Sequence, residues 1–263
     1  ARELIHKGDY IEADTVVEKK VLAEPIRPMY SPRSQQTLCD IMIVFSYDGR
    51  PETTAYRREL DLSRAAATAR WKVNEAGFES ETFCSALENA CVTRYSSDAP
   101  GGLTCSIQLR RECGAITRTL DERTLVVEGQ ANHRGKRKGV KFAGILRVAA
   151  RGGVLRYDTD TIYVENADEL TLTLTAETDY NFEMPSRPMT HDLAATALKR
   201  ANRVAAKDYD QLLDEHIADH GRLFNRVDLQ LGPVVDDDRP IDVRLQALRD
   251  GQTDTALEAL QFH

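Results

Sequence analysis

Residues 65–84 read A-A-A-T-A-R-W-K-V-N-E-A-G-F-E-S-E-T-F-C, and the period of this stretch decides the fold class. Ala65, Ala67, Ala69, Trp71 and Val73 alternate with Ala66, Thr68, Arg70 and Lys72. Successive side chains of a strand point to opposite faces, so a two-residue period buries one face and wets the other. Asn74 to Gly77 reads as a hairpin turn into a second strand, Phe78 to Cys84. Working outward, Leu103, Cys105, Ile107 and Leu109 repeat the alternation after the turn residues Pro100, Gly101 and Gly102. Phe142, Gly144, Leu146 and Val148 do so before Gly152-Gly153, and Leu170, Leu172, Leu174 and Ala176 form the last clear strand. Many half-buried strands joined by turns, from Leu38 to about Asn181, predict a mainly β fold, an antiparallel sandwich or barrel.

On either side the period is helical. Leu4, Ile5, Ala13, Val16 and Val17 place a helical segment at the start, split in two by Gly8. Pro25, Pro28 and Pro32 then break any helix and impose an extended connection. After the strands, Leu193, Ala197, Leu198, Ala201, Val204 and Ala205 line one helix face. A second helix follows, with Asp208 as N-cap and Gln211 three residues on, a variant of the capping box. Its stripe is Tyr209, Leu212, Leu213, His216, Ile217, His220 and Phe224. Val227, Leu229 and Leu231 read as a short strand ending at Gly232-Pro233. An acidic loop, Asp236 to Asp238, precedes another helix, and Thr255 to His263 reads as the opening of one more. The chain begins at Ala1 with no signal-peptide pattern, and both ends read as truncated.

Composition narrows the function classes. The chain has 263 residues, and 35 basic against 42 acidic side chains leave a net charge of −7, which argues against bulk electrostatic binding of nucleic acid. The densest apolar run, Ile41 to Phe45, falls far short of the ~18 residues a membrane helix needs. Cys39, Cys84, Cys91, Cys105 and Cys113 contain no C-x-x-C pair, so they read as buried free thiols.

Several constellations could carry chemistry, and each has a plainer explanation. His216 and His220 share a helix face, as in metal-binding H-E-x-x-H helices, but H-I-A-D-H lacks the glutamate and a third ligand, so no metal is expected. The basic run His133-Arg134-Gly135-Lys136-Arg137-Lys138, with Lys141, has the charge to grip an anion. It lacks interleaved aromatics and reads as a solvated loop between strands. Asp158 with Asp160, and Glu177 with Asp179, are carboxylate pairs of the kind glycoside hydrolysis uses, yet their positions suit turn chemistry. Trp71 has the ring for sugar stacking, but its register makes it a core residue. There is no G-x-S-x-G, phosphate loop or dinucleotide fingerprint, so no cofactor, no catalytic residue and no substrate-binding residue is assigned.

Several segments resemble, in order, the N-terminal region of glycoside hydrolase family 95, the α-L-fucosidase family. They are Gly8-Asp9-Tyr10 through Ala13, then Tyr56-Arg57-Arg58-Glu59-Leu60-Asp61-Leu62 with Ala65 to Ala69. Phe78 to Ser85, Asp98 to Leu103, Gly139 to Phe142 and Asp179-Tyr180-Asn181-Phe182 follow. The last are His216-Ile217-Ala218-Asp219-His220 through Leu223-Phe224, Arg226-Val227 and Leu229-Gln230-Leu231-Gly232. One departure is Leu38-Cys39-Asp40, where the family has Leu-Gly-Asp.

The resemblance implies a large antiparallel β-sandwich of super-sandwich type over residues 1–187, with 1–24 of it helical and its opening segment missing. Residues 188–263 would be a helical linker reaching the start of an (α/α)6 barrel near Leu260-Gln261-Phe262. The family's catalytic acid and water-activating residues lie in that barrel, so this chain alone is expected to be inactive. The parent enzyme would hydrolyse terminal α-L-fucosides, or related α-L-galactosides, with inversion, on fucosylated oligosaccharides. Expected partners are therefore the intramolecular barrel and such a glycan, with no nucleic acid and no membrane. A reading from another class is a free-standing sandwich that binds carbohydrate or protein; the 6% aromatic content weakens its carbohydrate form. Without the barrel, the apolar stripes of Leu193 to Ala205 and Tyr209 to Phe224 would be partly exposed and these helices the least protected.

Overall fold

A computed structural model describes residues 1–20, 33–47, 49–133, 137–185, 187–233 and 237–262. The connection through Pro25, Pro28 and Pro32 and the loop residue Asp236 lie outside them. The chain opens with α1 (Arg2–Lys7) and α2 (Tyr10–Lys20), separated as expected by Gly8, whose φ of 85° caps α1 in the left-handed region. Among the described residues twelve strands follow: β1 (Asp40–Phe45), β2 (Thr53–Asp61), β3 (Ala66–Val73), β4 (Ala76–Ser85), β5 (Ala90–Ser97) and β6 (Leu103–Arg110). The second half comprises β7 (Ala115–Asp121), β8 (Thr124–His133), β9 (Arg137–Arg151), β10 (Val154–Tyr157), β11 (Thr161–Ala167) and β12 (Glu169–Thr178). Helices α3 (Leu193–Ala205), α4 (Tyr209–Phe224), α5 (Ile241–Arg249) and α6 (Thr255–Leu260) come after the strands.

The strands form two sheets in which every pair is antiparallel, an eight-stranded one ordered β2-β3-β4-β5-β12-β9-β8-β7 and a four-stranded one ordered β1-β6-β11-β10. This is the expected sandwich. The predicted alternation of β6 holds, with Leu103, Cys105, Ile107 and Leu109 all buried between the sheets. They meet Leu125, Val127, Leu146, Val148, Leu170 and Leu172 from the large sheet. The hairpin forms with a tighter turn than read: Ala76 and Gly77 already pair with Val73 and Lys72, and Asn74 at φ 54° supplies the turn.

The expectation that the second face of these strands is wet fails at the centre of the large sheet. Leu125, Val126 and Val127 are all fully buried, because Val126 and Ile145 pack outward against Ala197 and Ala201 of α3. Thr173 and Thr175 also point outward and are buried, and the Thr175 hydroxyl donates to the Ala197 carbonyl at 2.9 Å. Alanines at the contact let the helix approach closely, and the hydroxyl is desolvated at no loss of hydrogen bonding. The resulting molecule is a three-layer stack of small sheet, large sheet and helices.

Two further expectations are corrected. Residues 227–231 form no strand: alternation supplies a face but not a neighbour for the backbone ladder, and Val227 and Leu231 stay exposed. Gln211 bonds Glu215 instead of reaching back to Asp208, so no capping box forms; Asp208 caps α4 by accepting from the Asp210 amide at 2.9 Å. The stripes of α3 and α4 are partly covered: Ala197, Ala201, Val204, Tyr209, Leu212, Leu213 and His216 are buried on the large sheet, while Leu193, Leu198, Ile217, His220 and Phe224 are half-buried and Ala205 is exposed.

Candidate functional site

Buried charge and aromatic contact come together at the seat of α3 and α4 on the outer face of the large sheet. Phe83 of β4, 2% exposed, anchors it together with Ala90 and Val92 of β5. From this ring a column runs along α4: Phe83 to His216 at 5.0 Å, His216 to His220 at 6.3 Å, and His220 to Phe224 at 4.9 Å between centroids. The four-residue spacing that resembled a metal helix is thus a stacking period. His216 Nε2 donates to the Ala65 carbonyl at 3.2 Å and His220 Nε2 to the Leu62 carbonyl at 2.7 Å. Two rings tied to separate backbone carbonyls of the β2–β3 turn do not converge on one point. Among the described residues, no group of three His, Cys, Asp or Glu side chains is arranged to hold a metal ion.

Two acidic side chains bracket this seat. Glu81, buried on β4, receives Arg64 Nη2 at 3.0 Å and the Tyr209 hydroxyl at 3.0 Å, with Arg94 Nη2 at 3.6 Å. Arg94 also lies 3.9 Å over the Tyr209 ring and reaches Asp210 at 3.1 Å. Burial first, and the Glu81 charge second, push the Tyr209 phenol well above its ordinary range. Glu88, at the tip of the β4–β5 hairpin, is held by Lys207 at 2.7 Å and Arg203 at 2.8 Å. Those cations, the Lys207 hydrogen bond foremost, keep its carboxyl below the usual range despite burial. The charges are paired and hydrogen-bonded, as burial demands. The arrangement fixes α3 and α4 in place; it presents no unpaired acid or base to a substrate.

The other sequence candidates are also accounted for by structure. The Asp158 carboxylate accepts from the Asp160 and Thr161 amides and from the Tyr163 hydroxyl at 2.9 Å, and that hydroxyl is the main cause holding its pKa down. Asp160 bonds Thr161 Oγ1 at 2.9 Å. Glu177 pairs with Arg200 at 2.8 Å and faces His191 at 3.6 Å. Asp179 takes Arg33 Nη1 at 2.8 Å and the Lys141 amide at 2.9 Å. Trp71 stacks on Phe78 at 5.7 Å and donates to the Tyr47 hydroxyl at 3.4 Å, inside the core as expected. Of the basic run, Arg134, Gly135 and Lys136 and the side chains of His133 and Arg137 lie outside the described residues. Lys138 and Lys141 are exposed on β9.

Beyond α4 the surface changes character. Leu223, Val227, Leu231, Ile241, Val243 and Leu245 are all exposed, and a cavity of about 250 Å³ lies between residues 228–233 and α6. Arg244 ties this region together, meeting Asp254 at 2.7 Å and Asp237 at 3.4 Å. The sequence marked α5 only as another helix; nothing in its spacing singled out the exposed apolar side chains, because exposure depends on what packs nearby.

Residues 1–183 match the family model described as "Glycosyl hydrolase family 65, N-terminal domain", and residues 208–263 match "Glycosyl hydrolase family 95 catalytic domain". The chain is 28% identical over 254 residues to Alpha-L-fucosidase 2 of Arabidopsis thaliana, covering 88% of this chain and 29% of that protein. It is 26% identical over 196 residues to Probable alpha-fucosidase A of Aspergillus niger, covering 70% of this chain and 24% of that protein. It therefore spans less than a third of the length of these curated relatives. Among solved structures, a putative kojibiose phosphorylase from human microbiome aligns with a TM-score of 0.44 at 10% identity, covering 70% of this chain and 27% of that one. The family GH92 inverting mannosidase of Bacteroides thetaiotaomicron aligns with a TM-score of 0.38 at 13% identity, covering 68% and 25%. Over its first 183 residues the chain belongs to the glycosyl hydrolase family 65 N-terminal domain family, and it continues into a segment similar to the family 95 catalytic domain.

Proposed function

We infer that this chain is the non-catalytic scaffold and linker of a glycosidase resembling α-L-fucosidase. The observation that carries the reading is the order of the two matches: an N-terminal-domain model over the sandwich, then a family 95 catalytic-domain model from residue 208 onward. Two curated relatives named as α-fucosidases support the same substrate class. In this reading residues 1–187 are the sandwich and residues 188–263 lead toward an (α/α)6 barrel. The rigid seat of α3 and α4 sets the direction in which that barrel leaves the sandwich. The apolar side chains at Leu223, Val227, Ile241, Val243 and Leu245 give it a surface to pack on. The whole protein hydrolyses terminal α-L-fucosides with inversion, an acid protonating the leaving oxygen while a base-activated water attacks from the opposite side of the ring. The paired carboxylates of this chain take neither role, since each is committed to a structural partner.

The experiment compares this chain with the complete gene product on a chromogenic α-L-fucoside. The chain alone releases no chromophore, and the complete protein releases it with β-L-fucose as the first product seen by NMR. Hydrolysis by the isolated chain, or a complete protein inert toward fucosides, overturns the reading.

A further inference from the structure

The β4–β5 hairpin carries two of the chain's five cysteines in a register that no other two share. Cys84 and Cys91 are direct antiparallel partners, on the face that turns toward the small sheet. Directly opposed residues in such a ladder hold their Cα atoms about 4.5–5.5 Å apart, inside the range of about 4.4–6.8 Å that a disulfide spans. Thr82 and Thr93, the next pair on the same face, show how close side chains come in this register, their Oγ1 atoms lying 2.9 Å apart. Cys84 is exposed and Cys91 half-buried, so one sulfur is open to a reagent from solution and the other stands behind it. The two thiols also act on each other: a hydrogen bond from Cys91 draws Cys84 down to about 7, and the same bond together with burial pushes Cys91 up. The remaining cysteines are placed differently. Cys39 and Cys105 are shielded, burial raising them to about 11 and about 12, and Cys113 is exposed without a cysteine across from it.

We propose that Cys84 and Cys91 form a modification site, a cross-strand dithiol that a small disulfide such as glutathione disulfide converts into an intrachain disulfide. The Cys84 thiolate attacks one sulfur of glutathione disulfide, forming a mixed disulfide and releasing one glutathione, which takes the Cys84 proton. The Cys91 thiolate then attacks the Cys84 sulfur, forming the Cys84–Cys91 bond and releasing the second glutathione with the Cys91 proton. The protein gives up two electrons and two protons, and glutathione disulfide leaves as two thiols. Forming the mixed disulfide removes the Cys84 negative charge that opposes ionisation of Cys91, which favours the second step. The new bond closes the base of the turn bearing Glu88, whose amide donates to Ser85 Oγ at 3.2 Å and whose carboxylate grips Arg203 and Lys207. Oxidation therefore stiffens the hairpin that seats α3 and α4. None of this depends on the fucosidase reading.

Trypsin cuts after Lys72 and Arg94 and releases both cysteines on one peptide, residues 73–94. The full chain is incubated with glutathione disulfide, quenched in acid, alkylated in denaturant, digested and weighed. The expected product is that peptide two hydrogens lighter and unalkylated, while Cys113 carries a glutathionyl group and serves as the internal control. In Cys91→Ser the same treatment leaves a stable glutathionyl group on Cys84. If that variant does not fold, the wild-type peptide decides alone. A wild-type peptide alkylated at both positions, or one halted with glutathione on Cys84, while Cys113 has reacted, overturns the proposal.

Discussion

Replacing Phe83 by alanine tests whether α4 is held to the sheet by one side chain more than by its own helical propensity. Phe83 is 2% exposed and lies 5.6 Å from Tyr209, edge-on, and 5.0 Å from His216, stacked. Truncating a buried phenylalanine costs about 3–5 kcal/mol through lost transfer energy and the cavity left behind. That is a large share of the ~5–15 kcal/mol by which a typical domain is stable. The loss should fall mainly on α4, because α3 gives only Val204 to the Phe83 cluster and rests chiefly on another, Val126 and Ile145 against Ala197 and Ala201. It also has its own ties, Arg200 to the Ala176 carbonyl at 2.8 Å and to Glu177 at 2.8 Å. Native-state hydrogen exchange followed by mass spectrometry reads both helices at once. In wild type, α3 and α4 should be protected like the central strands, contrary to the low protection the sequence alone suggested. In Phe83→Ala, α4 amides should exchange roughly a hundred- to several-thousand-fold faster, since each ~1.4 kcal/mol is a factor of ten. Amides of α3 and β12 should change far less. Unaltered α4 exchange, or an equal loss across α3, would refute the separate-cluster argument.

Asp179→Ala leaves Arg33 half-buried without its carboxylate and strips the Lys141 amide of its acceptor, so urea unfolding should show a loss of about 3–5 kcal/mol. Gly129→Ala puts a methyl group against the Gly114 carbonyl and 2.7 Å from the Phe142 ring, and should cost about 1–3 kcal/mol by overpacking, visible as a lower Tm. Acid should loosen the α5–α6 region before the sheets. Arg239 holds Asp237 at about 2, and Arg244 holds Asp254 at about 2. Depressed folded-state values mean this stabilisation is complete above the unfolded value of about 3.9 and is lost as pH falls toward 2. Protection of α5 and α6 amides, taken relative to intrinsic exchange at each pH, should therefore fall over that window in wild type, and Arg244→Ala should lower it already at neutral pH.

The sandwich was legible in the sequence because a half-buried antiparallel strand writes its burial as a period of two. The β6 stretch Leu103 to Leu109 shows this directly; residues 65–73 carry the period, although Ala66, on the face read as wet, is buried. Helix placement was legible for the same reason, at a period near 3.6, and Trp71 declared itself a core residue by its register with Ala69 and Val73. The resemblance to family 95 rested on short ordered stretches that period alone would not distinguish.

Tertiary structure decided everything that depends on what lies opposite. Leu125, Val126 and Val127 form a run with no period, and only the presence of α3 behind the sheet explains why all three are buried. Val227 to Leu231 has the period of a strand but no neighbouring strand to pair with, so it is coil. His216 and His220 carry the spacing of a metal helix, and the carbonyls of Ala65 and Leu62, some 150 residues away, turn them into stacked, hydrogen-bonded spacers. The Cys84–Cys91 pair could not be read from a seven-residue spacing, because it exists only once the β4–β5 register sets those two residues across from each other. Side-chain period is a property of the strand or helix itself, whereas burial, pairing and ionisation depend on which distant atoms the fold brings alongside.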